Sequence, residues 1–199
     1  QIVSMDICEW EQERYLISVC HYSDFIEVIK IENMRASTII GVCKNNFSRY
    51  GIPEILVTDG GMSFCNEEFE DFKRKWQFKH VTSSPYYQQA NGKAEAAVKV
   101  FKGILKKSCE DKIDWQLGML NQRNTRNKTG FSPNCRFQSR TTRSNIPALS
   151  STYTPKIPKF ESIIIEKQRR RAKNYYDRTA RALHPVKEGD RYGVDKNKS

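Results

Sequence analysis

Residues 1–30 read QIVSMDICEWEQERYLISVCHYSDFIEVIK and contain three apolar runs that are separated by two polar turns. The runs are Ile2–Ile7, Tyr15–Cys20 and Phe25–Lys30, and the turns are Glu11–Glu13 and Ser23–Asp24. Short runs rich in β-branched residues, joined by tight turns, are typical of an antiparallel meander. The sequence therefore predicts that the domain begins with three antiparallel strands.

Helical periodicity replaces the strand pattern after this meander. Ala36–Tyr50 carries apolar residues at helical spacing, and Gly51 follows the last turn, where a helix is expected to stop. The pattern then predicts short strands at Ile55–Val57 and Phe78–Val81. It predicts further helices at Asn66–Trp76, Lys93–Ser108 and Asp114–Arg123. Helices that alternate with short buried strands predict an α/β domain with a mixed sheet covered by helices.

Composition divides the 199-residue chain, whose mean hydropathy of −0.72 is polar for one compact domain. We predict a core at 1–140, a linker and basic helix at 141–185, and the truncated start of a small β domain at 186–199. Because the chain begins inside a predicted strand and ends before that last unit closes, we expect it to be part of something longer. It has no run of eighteen apolar residues and no visible signal peptide, so no membrane partner is predicted.

Charge is distributed unevenly along the chain. There are 10 Lys and Arg against 14 Asp and Glu up to Glu95, and 24 against 9 from Ala96 onward. An acidic first half and a basic second half predict a site that holds cations and a surface that holds a polyanion, for which nucleic acid is the default. The alternative is an ordinary solvated surface.

Cysteine and histidine spacing argues against a Cys/His metal centre. The three histidines are dispersed, and the six cysteines form no C-x-x-C pair; they are Cys8, Cys20, Cys43, Cys65, Cys109 and Cys135. We expect reduced thiols, several of them buried, in an intracellular protein.

Three acidic residues occur where acids are unusual. Asp6 lies in the middle of the first apolar strand, Asp59 directly follows a buried strand, and Glu95 is near the start of the long helix. Carboxylates that converge from separate elements repel one another unless a cation compensates. Carboxylate oxygens are the ligands preferred by Mg²⁺ and Mn²⁺, and two such ions can promote displacement at phosphorus.

Each acid also has an ordinary structural explanation. Asp59-Gly60-Gly61 can be a plain turn, Asp6 can face water on an edge strand, and Glu95 can complement the helix dipole. What favours a shared site is their joint placement, with thirty-five residues between Asp59 and Glu95.

The motifs around these acids resemble those of a known family. They are Tyr15–Val19, Tyr50–Glu54, Thr58–Phe64, Ser83–Tyr86, Gln89–Glu95 and Arg123–Thr125. Along nearly the whole chain, the sequence resembles the catalytic core of retroviral and long-terminal-repeat retrotransposon integrases, in particular the gypsy type. The resemblance implies a ribonuclease H-like fold, in which helices flank a mixed five-stranded sheet. It also implies a C-terminal linker helix and the start of a small β-barrel.

The resemblance further implies a two-metal DNA strand transferase and endonuclease, with Asp6, Asp59 and Glu95 as its catalytic and metal-binding triad. Asp6 would bridge two Mg²⁺ or Mn²⁺ ions, and Asp59 and Glu95 would each bind one of them. Water or a 3′-hydroxyl would attack a phosphodiester. The implied partners are DNA, both element ends and target duplex, and further copies of the chain, and the implied location is the nucleus.

Three groups of residues are candidates for DNA binding. Lys99 and Lys102 follow Glu95 by four and seven residues, so they share its helix face, and Lys106 lies further along. The second group, on the polar loop and at its end, is Tyr86, Gln89 and Asn91, and the third, on the basic helix, is Arg169, Arg170 and Arg171. Solvated helix faces are the alternative for both lysines and arginines.

Several residues depart from the family's pattern. Gly60 replaces an Asn, Met62, Gln88 and Arg126 each replace a Pro, and Phe137–Arg140 replaces a Leu-Met-Gly-Arg segment. These departures motivate an alternative function, a decayed or host-retained protein derived from an integrase that binds DNA or partners without catalysis. A ribonuclease of the same fold is a third option, weakened because such enzymes usually carry a fourth acid and a different spacing.

Overall fold

The computed structural model describes residues 1–83, 91–127 and 130–156, together with 166, 167, 170, 171, 173 and 174. Two compact units are present, residues 1–159 and 160–199. The first unit contains β1 (Ile2–Trp10), β2 (Glu13–Cys20), β3 (Ile26–Ile31), α1 (Ala36–Tyr50), β4 (Ile55–Thr58), α2 (Glu67–Trp76), β5 (Lys79–Thr82), α3 (Gly92–Asp111), α4 (Trp115–Asn124), α5 (Pro133–Gln138) and a 3₁₀ turn (Ser150–Tyr153). The six described residues of the second unit are helical and exposed.

The five strands form one mixed sheet in the order β3-β2-β1-β4-β5. The predicted meander is confirmed, because β1, β2 and β3 pair antiparallel in sequence order. β4 pairs parallel with β1, and β5 pairs parallel with β4. The α/β class and the mixed sheet are therefore those expected from the sequence.

The first hairpin is longer than predicted. β1 continues to Trp10, which pairs with Glu13, so only Glu11 and Gln12 form the turn. Both turn residues have positive φ, 47° and 66°, as in the two-residue turns that match the twist of a hairpin. The prediction stopped at Ile7 because polar Glu9 interrupts the apolar run, although Glu9 is simply exposed on an alternating strand.

Two separate apolar cores cover the two faces of the sheet. Because side chains alternate along a strand, Leu16 packs toward α1 and α2, whereas Ile17 packs toward α3 and α4. The first core includes Met5, Ile39, Cys43, Phe47, Leu56, Phe64, Phe69 and Phe72. The second includes Cys8, Tyr15, Val28, Ala94, Ala97, Phe101, Leu105 and Met119. The domain thus has three layers, with the sheet in the middle.

Local signals explain where the helices begin and end. Gly51 ends α1 with φ 91°, and its N–H donates to the Phe47 carbonyl at 2.9 Å. Asn66 caps α2, where its side-chain oxygen accepts the Phe69 N–H at 3.0 Å. α3 runs three residues past the predicted Ser108, because Lys112 takes the left-handed conformation that closes the helix.

The segment that follows α4 packs back onto the first unit. α5 was not predicted, although Ser132 is its N-cap and Pro133 occupies its first turn. The Thr142 hydroxyl accepts from the Asn134 amide at 2.8 Å, and the Thr142 carbonyl accepts from the Asn124 amide at 2.8 Å. Residues 141–156, the start of the predicted linker, therefore contact α4 and α5. The predicted β segment 186–199 lies outside the described residues.

The cysteines are distributed much as expected. Cys8, Cys20, Cys43 and Cys135 are buried, whereas Cys65 and Cys109 are exposed. Burial raises the pKa of the Cys43 thiol to about 12, so it stays protonated at neutral pH. Within the described part of the chain, no helix has the length and hydropathy needed to cross a membrane.

Candidate functional site

Asp6 lies in the middle of β1, on the sheet face that packs against α3. Its neighbour two residues on, Cys8, belongs to the core under α3, which fixes the direction of the Asp6 side chain. The Asp6 carboxylate accepts the Ile7 N–H at 2.8 Å and is half-buried. Burial is the main cause that raises the pKa of Asp6 above its usual value, and this hydrogen bond opposes it.

Asp59 directly follows β4 and lies level with Asp6. β1 and β4 are parallel, and Ser4 pairs with Val57, so two further residues along each strand reach the two aspartates. The Asp59 side chain is exposed, and its Oδ1 accepts the Gly61 N–H at 3.2 Å. Asp59-Gly60-Gly61 therefore forms a turn, which is the ordinary structural explanation given above. The same turn places the Asp59 carboxylate at the end of β4, the strand next to that of Asp6.

A histidine on β5 supports the start of this turn. The Thr58 hydroxyl donates to the Asp59 carbonyl at 2.8 Å, so the Nε2 of His80, also 2.8 Å from that hydroxyl, acts as its donor. Burial lowers the pKa of His80 below its usual value, because the charged ring would be desolvated. Neutral His80 and Thr58 together fix the backbone from which Asp59 projects.

Glu95 projects from the first turn of α3, and its side chain is exposed. Two contacts anchor this end of the helix. The Asn91 amide donates to the Met5 carbonyl at 3.2 Å, and Lys93 forms an ion pair with Asp24. Asn91 itself is 3% exposed, which corrects its prediction as a DNA-binding residue, because its side chain is turned into the protein against β1.

Asp59 and Glu95 both act electrostatically on Asp6. After burial and the backbone hydrogen bond, Asp59 and Glu95 each raise the pKa of Asp6 further, and Lys102 lowers it. Burial raises the pKa of the Cys8 thiol and Lys102 opposes this rise, so this lysine lies beside the same stretch of β1. The structure thus brings carboxylates from β1, from the turn after β4 and from α3 into one neighbourhood, with Lys102 beside them.

The other predicted DNA-binding residues are only partly described. Lys99, Lys102 and Lys106 are exposed along α3. Arg170 and Arg171 are exposed in the second unit. The remaining predicted residues, Tyr86, Gln89 and Arg169, lie outside the described residues.

The donor set suits a hard divalent cation. Asp6, Asp59 and Glu95 all offer carboxylate oxygens. A bound cation would offset the electrostatic repulsion between Asp6 and the other two acids. Among the residues that the structure describes, no three His, Cys, Asp or Glu side chains are close enough to hold one ion. Asp59 and Glu95 are exposed, so their side chains have the rotamer freedom to adjust.

The motif Arg123–Thr125 proves to be a packing device. The Arg123 Nε donates to the Ile26 carbonyl at 2.8 Å, and its guanidinium lies 3.0 Å from Glu27. The same guanidinium lies over the Phe25 ring, 4.8 Å from its centroid. This residue therefore ties α4 to the edge strand β3.

Sequence reasoning missed some supporting residues. His80 gave no sequence signal, because it was one of three scattered histidines and its partner is on another strand. Gly61 was visible within the Asp-Gly-Gly motif, and its role is steric. A Cβ on Gly61 would lie 3.1 Å from Asp59 Oδ1, whereas a Cβ on Gly60 would meet only the Ser83 carbonyl at 3.9 Å.

The sequence is similar to integrase core domains and to retroviral polyproteins. Residues 1–88 match the family model of the integrase core domain. The chain is 29% identical over 109 residues to the Pol-related polyprotein of a mouse intracisternal A-particle, which covers 53% of this chain and 13% of that protein. It is 27% identical over 101 residues to the Gag-Pro-Pol polyprotein of squirrel monkey retrovirus, covering 51% of this chain and 5% of that protein. The chain thus spans only a small fraction of these relatives.

Comparison with solved structures gives the fold. The catalytic core domain of BIV integrase matches with a TM-score of 0.60 and 20% identity, over 69% of this chain and 93% of that domain. The HTLV-2 integrase catalytic core domain, solved in complex with magnesium in a trimeric form, matches with a TM-score of 0.56 and 21% identity, over 69% of this chain and 95% of that one. A chain of a simian T-cell lymphotropic virus intasome matches with a TM-score of 0.63 and 16% identity, over 75% of this chain and 58% of that one. The first unit therefore has the ribonuclease H-like fold of integrase catalytic cores, and the sequence similarity to the integrase core domain lies in residues 1–88.

Proposed function

We propose that this chain is the catalytic core of a retroelement integrase, a polynucleotidyl transferase and endonuclease that cuts DNA and joins element ends to a target duplex. One observation carries the proposal. Asp6 in β1 and Asp59 just after the adjacent parallel strand β4 lie level. Asn91 ties the start of α3, which carries Glu95, to Met5 beside them. Like charges gathered beside the interior strands of a sheet are costly, and structural ion pairs alone would not require them.

The proposed catalytic residues are Asp6, Asp59 and Glu95, and the proposed cofactors are two Mg²⁺ or Mn²⁺ ions held by them. Such ions, when bound, stabilise the entering and leaving oxygens of a displacement at phosphorus. The chain's own contribution is placement. The Ile7 N–H fixes Asp6, the Gly61 N–H orients Asp59, and the Asn91 side chain holds the start of α3 so that Glu95 faces β1.

Lysines on α3 are proposed to hold the DNA backbone. Lys102 is the described cation that acts on Asp6, and Lys99 and Lys106 lie one turn away on either side. An ammonium group beside the carboxylates would attract a phosphate without neutralising the acids by direct ion pairing. The basic second half of the chain, 24 Lys and Arg against 9 acids, supports a polyanionic partner.

The wider setting is also part of the proposal. The similarity to a domain solved with magnesium supports the choice of ion, and the similarity to an intasome and to a trimeric form supports work as a homo-oligomer. A substrate made of host DNA would put the protein in the nucleus. DNA binding by Tyr86, Gln89, Arg169, Arg170 and Arg171 is proposed from the sequence alone.

The test is strand transfer with short labelled duplex ends in Mg²⁺ or Mn²⁺. Asp59→Asn and Glu95→Gln are expected to lower the rate by at least about 10²-fold, because each removes a carboxylate that would hold an ion, and with it the charge stabilisation that the ion supplies. Glu67→Gln is the matched control, since Glu67 is an exposed acid at the start of α2. Equal rates in the parent and in Asp59→Asn would reject the catalytic proposal.

A metal titration separates this function from the alternative of DNA binding without catalysis. If the parent binds Mn²⁺ in a paramagnetic-resonance titration and Asp59→Asn does not, the metal site exists. If the parent binds DNA but binds no more Mn²⁺ than Asp59→Asn does, the chain is a binding protein that retains the fold without the chemistry.

A further inference from the structure

A second polar cavity lies beside α5, built from residues outside the carboxylate cluster. Its volume is about 260 Å³. Residues from three places line it: the end of α4, the start of α5, and the segment that packs back over them. Those that matter for its chemistry are Arg126, Phe131, Ser132, Thr141, Thr152 and Lys156.

Charge in this cavity has one sign. Arg126 and Lys156 line it, and no Asp or Glu is among the described residues that do. Neither cation forms an ion pair with any carboxylate that the structure describes, whereas Arg14, Arg74, Arg123 and Arg136 all do. Two cations facing one concavity without a counter-charge raise its potential and favour an anionic ligand.

Hydroxyl groups add neutral donors to the same cavity. The Ser132 oxygen accepts the Cys135 N–H at 3.2 Å, which leaves the Ser132 hydroxyl proton available to another acceptor. Thr141 and Thr152 line the cavity from the returning segment. Donors thus come from two structural elements, together with a guanidinium and an ammonium group.

The backbone around the cavity is held in place. The Lys156 N–H donates to the Ser139 carbonyl at 2.6 Å, just past the end of α5. The Thr142 carbonyl and hydroxyl bond to Asn124 and Asn134. Because these contacts fix both ends of the returning segment against α4 and α5, the cavity is built by the fold and is not a chance gap between loose loops.

We propose that this cavity binds a phosphate group, as a second anion site apart from the carboxylate cluster. A guanidinium fork, an ammonium group and several hydroxyls from different directions suit the spread-out oxygens of phosphate better than the two coplanar oxygens of a carboxylate. The phosphate can belong to a nucleic-acid backbone or to a small phosphorylated molecule. Catalysis at Asp6, Asp59 and Glu95 is not needed for this site.

Charge-removing variants of the whole chain provide the test. Arg126→Gln, Lys156→Gln and the double variant are compared with Lys75→Gln, an exposed lysine of α2 that does not line the cavity. The first measurement is the midpoint of thermal unfolding in sodium phosphate and in sodium chloride at equal ionic strength. The second is the affinity for a fluorescent 20-base-pair duplex across a series of salt concentrations.

We expect phosphate to raise the unfolding midpoint of the parent and of Lys75→Gln, and to lose this effect in the double variant. If the ligand is a nucleic-acid phosphate, the slope of log affinity against log salt also falls by about 0.9 in the double variant, the value for one lost phosphate contact. Loss of the phosphate effect with an unchanged slope still supports the site and assigns it to a small phosphorylated ligand. Equal responses of the double variant and Lys75→Gln in both measurements would overturn the proposal, whether or not the chain has integrase activity.

Discussion

Replacing Gly61 by alanine is expected to weaken the candidate active site with little loss of stability. The new Cβ would lie 3.1 Å from Asp59 Oδ1, 3.4 Å from Oδ2 and 3.6 Å from Cγ, so the carboxylate must turn away. That rotation lengthens the 3.2 Å hydrogen bond from the Gly61 N–H, which is worth about 1 kcal/mol in unfolding free energy. The carboxylate has to move by only a few tenths of an ångström, and a shift of about 1 Å in a reacting group can cost 10²-fold, so we expect strand transfer to fall by up to about 10-fold.

Gly60 provides a matched control one residue away. A Cβ there would meet only the Ser83 carbonyl at 3.9 Å, an ordinary contact, so Gly60→Ala should stay within about 0.5 kcal/mol of the parent in unfolding free energy. Gly60→Asn, which restores the residue usual in the family, also has open space for its Cβ. The assays are strand-transfer rate, Mn²⁺ affinity and denaturant unfolding. The reasoning is refuted if Gly61→Ala and Gly60→Ala have equal rates and equal Mn²⁺ affinity.

Three further variants test the fold around the site. Glu11→Asn with Gln12→Gly should raise the unfolding free energy by about 1 kcal/mol, because both residues have positive φ and Asn-Gly suits such a turn; urea unfolding of the pair against the parent checks this. Asp24→Asn should lower the unfolding free energy by about 2–3 kcal/mol, since the Arg136 side chain, 1% exposed and 2.8 Å away, loses the Asp24 carboxylate as a charged partner. Asn still accepts the positive φ of this turn, and an unchanged urea midpoint would contradict the prediction. Burial lowers the pKa of His80 in the folded protein, so the unfolded chain binds a proton at this histidine more readily. The contribution of His80 to the unfolding free energy is therefore complete above its ordinary pKa of 6.5 and falls as the pH drops below that value. His80→Gln should flatten the dependence of unfolding free energy on pH between about 7 and 5.

Local chemistry explains why the elements were predictable. The predicted helix Ala36–Tyr50 has the bounds that the structure shows, because its apolar face and the glycine that ends it are both local features of the sequence. The sheet class followed from Tyr15–Cys20 and its neighbours for the same reason. The convergence of Asp6, Asp59 and Glu95 on one metal site was inferred from the unusual placement of these acids and stays a prediction. Asp59 and Glu95 do raise the pKa of Asp6, but no three acids among the described residues lie close enough to share an ion.

Long-range contacts explain what the sequence did not reveal. Asn91 sat in a polar loop that suggested DNA contact, yet its amide bonds to Met5, 86 residues earlier in the chain. His80 supports Thr58 across 22 residues, and Arg136 reaches Asp24 across 112. Periodicity and composition carry no information on such pairings. α5 is a different case, because Ser132-Pro133 is a helix-start signal that a short, polar six-residue helix made easy to overlook.

The division of the apolar interior between the two faces of the sheet bears on how such a chain can diverge. Asp6 and Glu95 lie on the opposite side of the sheet from the core beneath α1 and α2, so substitutions of similar volume can accumulate in that core while these two acids keep their positions. The opposite side has less freedom. Ala94 and Ala97 are 0% and 3% exposed where the Glu95 helix meets the sheet, and any larger residue would push that helix outward. Related sequences should therefore vary most in the core beneath α1 and α2 and keep small residues at the positions of Ala94 and Ala97. Libraries randomised separately on each side of the sheet should show this difference in tolerance.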